Sequence, residues 1–219
     1  MRRRHFLTLS AAGLGGILVS SLDAARLTDL TDAKPVQIPL RFFTESEAMN
    51  VAAAVSRIFP GDSSTPGARE AGVTIYIDRQ LAGPYGRDHR RYTQGPFEEG
   101  APELGYQGQA SPRQIYREGL KGLAELHRQS AAEQDRALTQ IETSRFFALL
   151  RQHTIEGMFC DPMHGGNKNL AGWKLIGFPG PRFSNFDDID KHFGEEFRPK
   201  PATLREMAGH PVRPSEDGE

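Results

Sequence analysis

Four side chains in the C-terminal half of the chain have types and spacing suited to ligating a metal ion. His153 and Glu156 lie three residues apart in a helical pattern, and Asp161 and His164 follow within a turn and a loop. Imidazole nitrogens and carboxylate oxygens bind hard and borderline cations. The same side chains could instead form local hydrogen bonds at a helix end and in the following loop. We expect the second role, and keep an independent metal-binding protein or enzyme as the alternative.

No cofactor fingerprint is complete in the sequence. Gly13-Leu14-Gly15 has Leu18 where a dinucleotide-binding loop needs its third glycine, and neither the P-loop motif nor H-E-x-x-H occurs. Cys160 is the only cysteine, which excludes an intrachain disulfide and a CxxCH haem attachment. Its thiol either packs as a small apolar group or bridges to a partner chain. We therefore predict no catalytic, cofactor-binding or metal-binding residue in this chain.

A Gly-rich segment after Pro162 is suited to contact with another protein. Gly165-Gly166-Asn167 permits a sharp turn beside a second surface, and Trp173 with Phe178 could form a flat apolar platform. The tryptophan either is buried in the chain's own core or anchors a partner, since Trp is over-represented at interface hot spots. The predicted partner-docking residues are Asp161, His164, Gly165, Gly166, Asn167, Trp173 and Phe178.

Helix-start signals recur along the chain and predict a mainly α domain. Thr44-x-x-Glu47, Ser111-Pro112-x-Gln114 and Ser130-x-x-Glu133 are capping boxes, and apolar residues at helical spacing follow each of them. Thr65-Pro66 is read as a further start, with Thr as the cap and Pro in the first turn. The expected helices run from Thr44 to Phe59, from Thr65 to about Leu81, from Ser111, from Ser130, through Phe146 to Met158, and near Thr203 to Met207.

The stretch from Gly83 to Gln109 holds six Gly, three Pro and four aromatic residues. This composition predicts a long loop between helices. Within it, residues 87–91 read Arg-Asp-His-Arg-Arg, which could bind an acidic or nucleic-acid partner but which we interpret as a solvated charge run. The expected fold is thus a compact helical domain with long Gly/Pro-rich loops.

The N-terminus has the pattern of an export signal. The order Arg3-Arg4-x-Phe6-Leu7 is typical of the twin-arginine route, and the mild apolar run of 14 residues from Leu9 to Leu22 is shorter than the ~20 residues that span a bilayer. The alternative is a Sec signal or an N-terminal anchor. The paired arginines and the low hydrophobicity of the apolar run argue against this alternative. No clean A-x-A site is present near Ala25, so removal of the leader is left open.

Composition bounds the remaining possibilities. The 219 residues include 27 basic and 28 acidic side chains. The chain therefore has no net positive charge that would attract nucleic acid. Hydrophobic residues are 37% and charged residues 25%, as in ordinary globular proteins. We expect a signal peptide over 1–25, a helical domain over 26–186, and an extended polar C-terminal tail over 187–219.

Two separated runs resemble the gluconate 2-dehydrogenase subunit 3 family. The later run is Gly157-Met-Phe-Cys-Asp-Pro-Met-His-Gly-Gly-Asn167, continuing to Gly172-Trp-Lys-Leu-Ile-Gly-Phe-Pro-Gly180. The earlier run is Ile58-Phe59-Pro60 with Pro66-Gly67-Ala68-x-x-Ala71-Gly72-Val73. The resemblance covers roughly residues 40 to 181 and includes the twin-arginine leader, while His164 departs from the tyrosine of many members.

The resemblance implies a non-catalytic small subunit of an FAD-dependent sugar, sugar-acid or polyol dehydrogenase. In such complexes a flavoprotein large subunit holds the FAD, and a multihaem cytochrome c subunit carries haem c and takes the electrons onward. The small subunit aids maturation of the large one and shares its leader with it through the twin-arginine translocase. The implied location is the periplasm, associated with the inner membrane through the complex.

Overall fold

The chain between residues 38 and 209 is helical. The computed structural model describes these residues apart from 92, 93, 99 and 183, and in this part of the chain there are seven α-helices and no strand. The helices are α1 Glu45–Ile58, α2 Val73–Ala82, α3 Pro112–Lys121, α4 Ala131–Gln140, α5 Arg145–Phe159, α6 Ala171–Ile176 and α7 Leu204–Ala208. From Leu40 onward the chain forms one compact unit. The predicted mainly α fold is confirmed, and the leader residues Arg3, Arg4, Phe6 and Leu7 lie outside the described residues.

Short 3-10 helices punctuate the connections between the α-helices. Within the described residues they are Pro102–Leu104, Leu126–Arg128, Pro162–His164, Lys168–Leu170 and Phe186–Asp188. The described positions of the Gly83 to Gln109 stretch hold only the first of them, as expected for a long Gly/Pro-rich loop.

The predicted capping boxes form at three helix starts. The hydroxyl groups of Thr44, Ser111 and Ser130 each accept a hydrogen bond from the backbone N–H three residues later. In return, the side chain at that later position accepts from the backbone N–H of the cap residue. A fourth box starts α7 at Thr203, so the short helix expected there is also confirmed.

The helix expected from Thr65 to Leu81 begins eight residues later, at Val73. The carboxylate of Asp62 accepts hydrogen bonds from the backbone N–H groups of Ser64 and Thr65, which commits Thr65 to a turn. Gly72, with φ +77°, precedes the helix in the left-handed conformation. Glycine adopts this conformation at little cost. The helix therefore starts after Gly72, and the start predicted from Thr65 as cap and Pro66 in the first turn is wrong.

Helix α5 is the central element of the core. It packs against α1, α2, α3 and α6, and α1 also packs against α2 and α4. Its buried residues are Phe146, Leu149, Leu150, His153, Thr154, Gly157 and Met158. Burial of each large apolar side chain contributes roughly 1.5–3 kcal/mol, so this face holds the bundle together. Phe147, next to Phe146 in the sequence, is only half-buried.

A buried carboxylate joins the start of α1 to α2. Asp78 of α2 is 1% exposed, and its two oxygens accept hydrogen bonds of 2.8–2.9 Å from the backbone N–H groups of Arg41, Phe42 and Phe43. Those three amides have no partner in a helix, because α1 starts only at Glu45. Asp78 therefore fixes the chain that leads into α1.

Candidate functional site

The later of the two sequence motifs, residues 157–180, folds as one unit around Asn167. We call it the motif segment. Asn167 is fully buried, and its backbone N–H donates to the Gly157 carbonyl at 2.8 Å. Its side-chain amide donates to the Cys160 carbonyl, and its Oδ1 accepts from the Gly172 N–H, both at 2.8 Å. A single side chain thus joins the end of α5 to the start of α6.

Two glycines of the motif segment allow backbone to lie against backbone. A Cβ on Gly166 would lie 2.1 Å from the Gly157 carbonyl oxygen, and one on Gly172 would lie 2.0 Å from the Met158 carbonyl oxygen. No side chain fits at either position. Gly166, one of the residues expected to permit a sharp turn beside a docking partner, thus permits close packing within this chain.

The two sequence motifs contact each other. The Lys168 N–H donates to the Ala71 carbonyl at 2.9 Å, and a Cβ on Gly72 would lie 3.3 Å from the Gly165 carbonyl oxygen. The early motif, residues 58–73, thus packs on the turn at residues 165–168. Stretches almost a hundred residues apart in sequence form one structural site.

Trp173 is part of the core. Its side chain is 3% exposed, and its Nε1–H donates to the Phe159 carbonyl at 2.8 Å. The ring of Phe178 packs edge-on against it, with centroids 5.1 Å apart. Of the two roles considered from sequence, the geometry gives Trp173 the structural one. A partner that docks here would contact the exposed residues next to Trp173, whose positions the buried tryptophan supports.

The end of α6 presents exposed apolar side chains, next to the exposed Lys174. Leu175 is 47% exposed, Ile176 60% and Phe178 39%, and all three lie at the end of α6 or directly after it. We call these three side chains the α6 apolar edge. Met163 and His164, in the preceding 3-10 helix, are also exposed. Leu175 and Ile176 are absent from the docking residues predicted from sequence.

The Asp161 carboxylate is engaged within the chain. Its Oδ1 accepts from the Met163 N–H at 3.0 Å, and its Oδ2 accepts from the Leu204 N–H at 2.9 Å. Further along, the Ala202 N–H donates to the Pro179 carbonyl at 3.1 Å. The expected loop-stabilising role of Asp161 is observed, and the described end of the chain returns to the motif segment.

His153 and Glu156 each have other partners and do not form a metal site with Asp161 and His164. His153 is 1% exposed, with Nδ1 and Nε2 each 2.8 Å from a tyrosine hydroxyl, of Tyr116 and Tyr85 respectively. Glu156 accepts hydrogen bonds from the Tyr76 hydroxyl and the Gln152 amide. In the part of the chain that the structure describes, no group of three His, Cys, Asp or Glu could hold a metal ion.

Burial keeps the imidazole of His153 neutral. It lowers the pKa to about 4, with a smaller lowering by the Arg145 charge and an opposing effect of Glu156. A neutral ring has one N–H donor and one bare nitrogen. Within the described residues the buried Tyr116 hydroxyl has His153 as its one partner, so it donates to Nδ1 and leaves Nε2–H to donate to Tyr85.

Cys160 has a protonated thiol at neutral pH. The residue is half-buried, and burial raises its pKa to about 11. Its Sγ lies 3.5 Å from the Gly157 carbonyl oxygen. The thiol packs within the motif segment, which is the first of the two roles considered for it from sequence.

Comparison with protein families decides which family this structure represents. The family model described as Gluconate 2-dehydrogenase subunit 3 matches residues 45–180, more than half of the chain. The chain belongs to this family. The match begins at the first residue of α1 and ends at Gly180, so both motifs and the α6 apolar edge of this gluconate 2-dehydrogenase subunit 3 protein lie within it. No curated protein and no solved structure gives a significant match.

Members of the gluconate 2-dehydrogenase subunit 3 family are accessory subunits of a dehydrogenase complex. Among residues 38–209, with the gaps given above, no helix is both long and apolar enough to cross a membrane. The tail beyond Gly180 lies outside the match.

Three features of the site were not found from sequence. These are the tyrosine partners of His153, the buried Asp78 and the α6 apolar edge. The tyrosines lie 68 and 37 residues from His153, so no local spacing connects them. The alternation of buried and exposed residues within six-residue α6 is too short to show a helical period.

Proposed function

We propose that this chain is the non-catalytic small subunit of an FAD-dependent sugar, sugar-acid or polyol dehydrogenase, and that it docks its flavoprotein large subunit through the α6 apolar edge. Membership of the subunit 3 family supports the kind of complex. The exposure of Leu175, Ile176 and Phe178 supports the docking surface. The FAD belongs to the large subunit, and a cytochrome subunit carrying haem c accepts the electrons.

The architecture of the motif segment supports docking at this edge. Asn167 and Trp173 are buried and hydrogen-bonded, so they hold α6 rigidly on the end of α5. A rigid scaffold that presents three adjacent exposed apolar side chains loses little conformational entropy on association. Exposed apolar side chains held in this way are typical of interfaces. His164 and Met163 extend the proposed contact on the preceding turn.

The proposed role includes maturation and export of the large subunit. FAD binds to a folded apoprotein, so a flavoprotein that crosses the membrane with its cofactor needs a route for folded cargo. The pattern Arg3-Arg4-x-Phe6-Leu7 in this chain would supply that route for both subunits. The complex would then work in the periplasm, next to the inner membrane.

Substitution within the α6 apolar edge tests the docking surface. We expect Ile176→Asp to weaken association with the large subunit by about 2 kcal/mol or more, because a carboxylate would be desolvated in the interface. Ile176 is 60% exposed, so the variant should fold normally. The measurement is co-purification of the flavoprotein with the tagged full-length chain, together with circular dichroism of the variant.

Met49→Asp provides the matched control. Met49 lies on α1, outside the motif segment, and is 47% exposed. This variant should retain the large subunit. If Ile176→Asp folds and retains the flavoprotein as well as Met49→Asp does, the α6 apolar edge is not the docking surface.

A further inference from the structure

The segment 184–198 carries large apolar side chains that the chain leaves in solvent. Phe186 is 81% exposed, Ile189 55%, Phe193 99% and Phe197 42%. A tail expected to be polar thus contains four exposed apolar residues within twelve positions. Exposed apolar groups at this density are typical of a binding surface.

The spacing of these four residues is helical. Steps of three, four and four residues place them within an arc of about 80° on an α-helix at about 100° per residue. The flanks also carry helix signals. The Ser184 hydroxyl accepts from the Phe186 N–H, acidic residues follow in the first turn, and Pro199 ends the pattern.

The segment is nevertheless not an α-helix in this structure. A 3-10 turn spans Phe186–Asp188, and two residues in the left-handed region, Asp190 at φ +67° and Gly194 at φ +79°, interrupt its continuation. Local contacts hold this form, including an ion pair between Arg182 and Asp188 and stacking of His192 on the Phe197 ring. An amphipathic helix gains its stability from burial of its apolar face.

Both ends of the segment are fixed beside the motif segment. Before it, a Cβ on Gly180 would lie 2.0 Å from the Ala202 carbonyl oxygen; after it, the N–H groups of Ala202 and Leu204 bond to Pro179 and Asp161. The chain on either side of the segment is therefore anchored to the motif segment, which also carries the proposed docking surface.

The charges of the segment favour a protein over a membrane as the surface that it binds. Residues 186–198 hold five acidic side chains and two basic ones. Interfacial membrane helices are instead rich in Lys and Arg, which interact with anionic lipid. The complementary surface is an apolar groove with a basic rim.

We propose that residues 184–198 form an amphipathic helix that inserts Phe186, Ile189, Phe193 and Phe197 into an apolar, basic-rimmed groove of the flavoprotein large subunit. The proposal rests on the proposed function for the identity of the partner. The segment folds as it binds, which is the helix-in-groove mode of recognition. It adds a second contact beside the α6 apolar edge.

Binding of the full-length chain to the purified large subunit, by calorimetry, tests the proposal with three variants. Phe193→Asp should weaken binding about ten-fold or more, since it removes a central anchor. Leu104→Asp, a matched change at a residue 71% exposed outside the segment, should have wild-type affinity. Gly194→Ala should tighten binding about five-fold, because alanine favours the helix and disfavours φ +79°.

The outcomes separate this proposal from the proposed function. Wild-type affinity of Phe193→Asp, or weaker binding of Gly194→Ala, would overturn the helix-in-groove contact and leave the small-subunit role intact. Failure of the wild-type chain to bind would overturn both. Two other outcomes, each with unchanged affinity for the flavoprotein, would also overturn the helix-in-groove contact. If Phe193→Asp loses self-association, the segment binds a second copy of the chain. If it loses vesicle binding, the segment binds a membrane.

Discussion

At the residue scale, three buried polar side chains of the described core have hydrogen-bond partners within the chain. His153 lies between two tyrosine hydroxyls, the Asp78 carboxylate accepts from three backbone amides, and the Asn167 side chain bonds to Cys160 and Gly172. Buried polar groups are costly unless they are satisfied in this way. These residues therefore account for the local geometry of the fold.

The neutral state of His153 predicts loss of stability in acid. Its pKa is about 4 when folded and near the ordinary value of 6.5 when unfolded. Between these values the unfolded chain binds a proton that the folded chain does not. Its contribution to the free energy of unfolding should fall by up to about 1.4 kcal/mol per pH unit as the pH drops from 6.5 toward 4. It should be constant above pH 6.5.

Urea unfolding between pH 4.5 and 7.5 measures this effect in the wild type and in His153→Gln. Glutamine retains an amide that can bond both hydroxyls but does not titrate. The variant should lose the His153 part of the slope. Identical slopes in the two proteins would show that His153 is not neutral and buried as described.

At the element scale, helix starts were predictable where a capping box is complete. The boxes at Thr44, Ser111 and Ser130 depend on two residues three positions apart, so the sequence contains all of their geometry. The start of α2 was not predictable in this way. Gly72 is left-handed at the place where the early motif packs on residues 165–168, a contact that no local pattern shows.

In the motif segment, too, some features were predictable from sequence and others were not. Its place after α5, its turn and its tryptophan were predictable from residue type. Which side of α6 is buried depends on the Asn167 and Phe159 contacts, so Trp173 and the exposed Ile176 could not be distinguished from sequence. Six residues are too few for a periodic pattern to decide.

Asp78 and Asp62 each accept three hydrogen bonds, but their substitution by alanine should change the free energy of unfolding by different amounts. Asp78→Ala should cost about 3 kcal/mol of unfolding free energy, because three amides lose their acceptor in or near the core. Asp62 also accepts three hydrogen bonds, but in an exposed turn where water can replace it. Asp62→Ala should lose far less. Urea unfolding of both variants checks this, and equal losses would contradict it.

At the scale of the whole molecule, the chain combines parts with separate tasks. In the proposed function, the helical bundle supports the motif segment, the α6 apolar edge and the 184–198 segment provide contact surfaces, and the N-terminal residues carry the export signal. The proposed purpose of the chain is to bring a flavoprotein across the membrane and to remain bound to it.

The proposed twin-arginine signal can be tested with conservative substitutions. Arg3→Lys combined with Arg4→Lys should retain both this chain and the large subunit in the cytoplasm, because the twin-arginine pair is removed while the charge is kept. Arg2→Lys, just outside the pair, is the control and should be exported normally. Cell fractionation with detection of both subunits provides the measurement. Export of the double variant would indicate a Sec signal.

In the proposed function, this chain binds a flavoprotein large subunit and is exported with it. The most direct measurement is the absorbance spectrum of the tagged full-length chain isolated from the periplasm of its own cell. We predict flavin bands in equimolar amount with the chain, a co-purifying large subunit, and dehydrogenase activity that remains with that subunit. A stable chain isolated alone, without flavin and without a partner, would contradict the account.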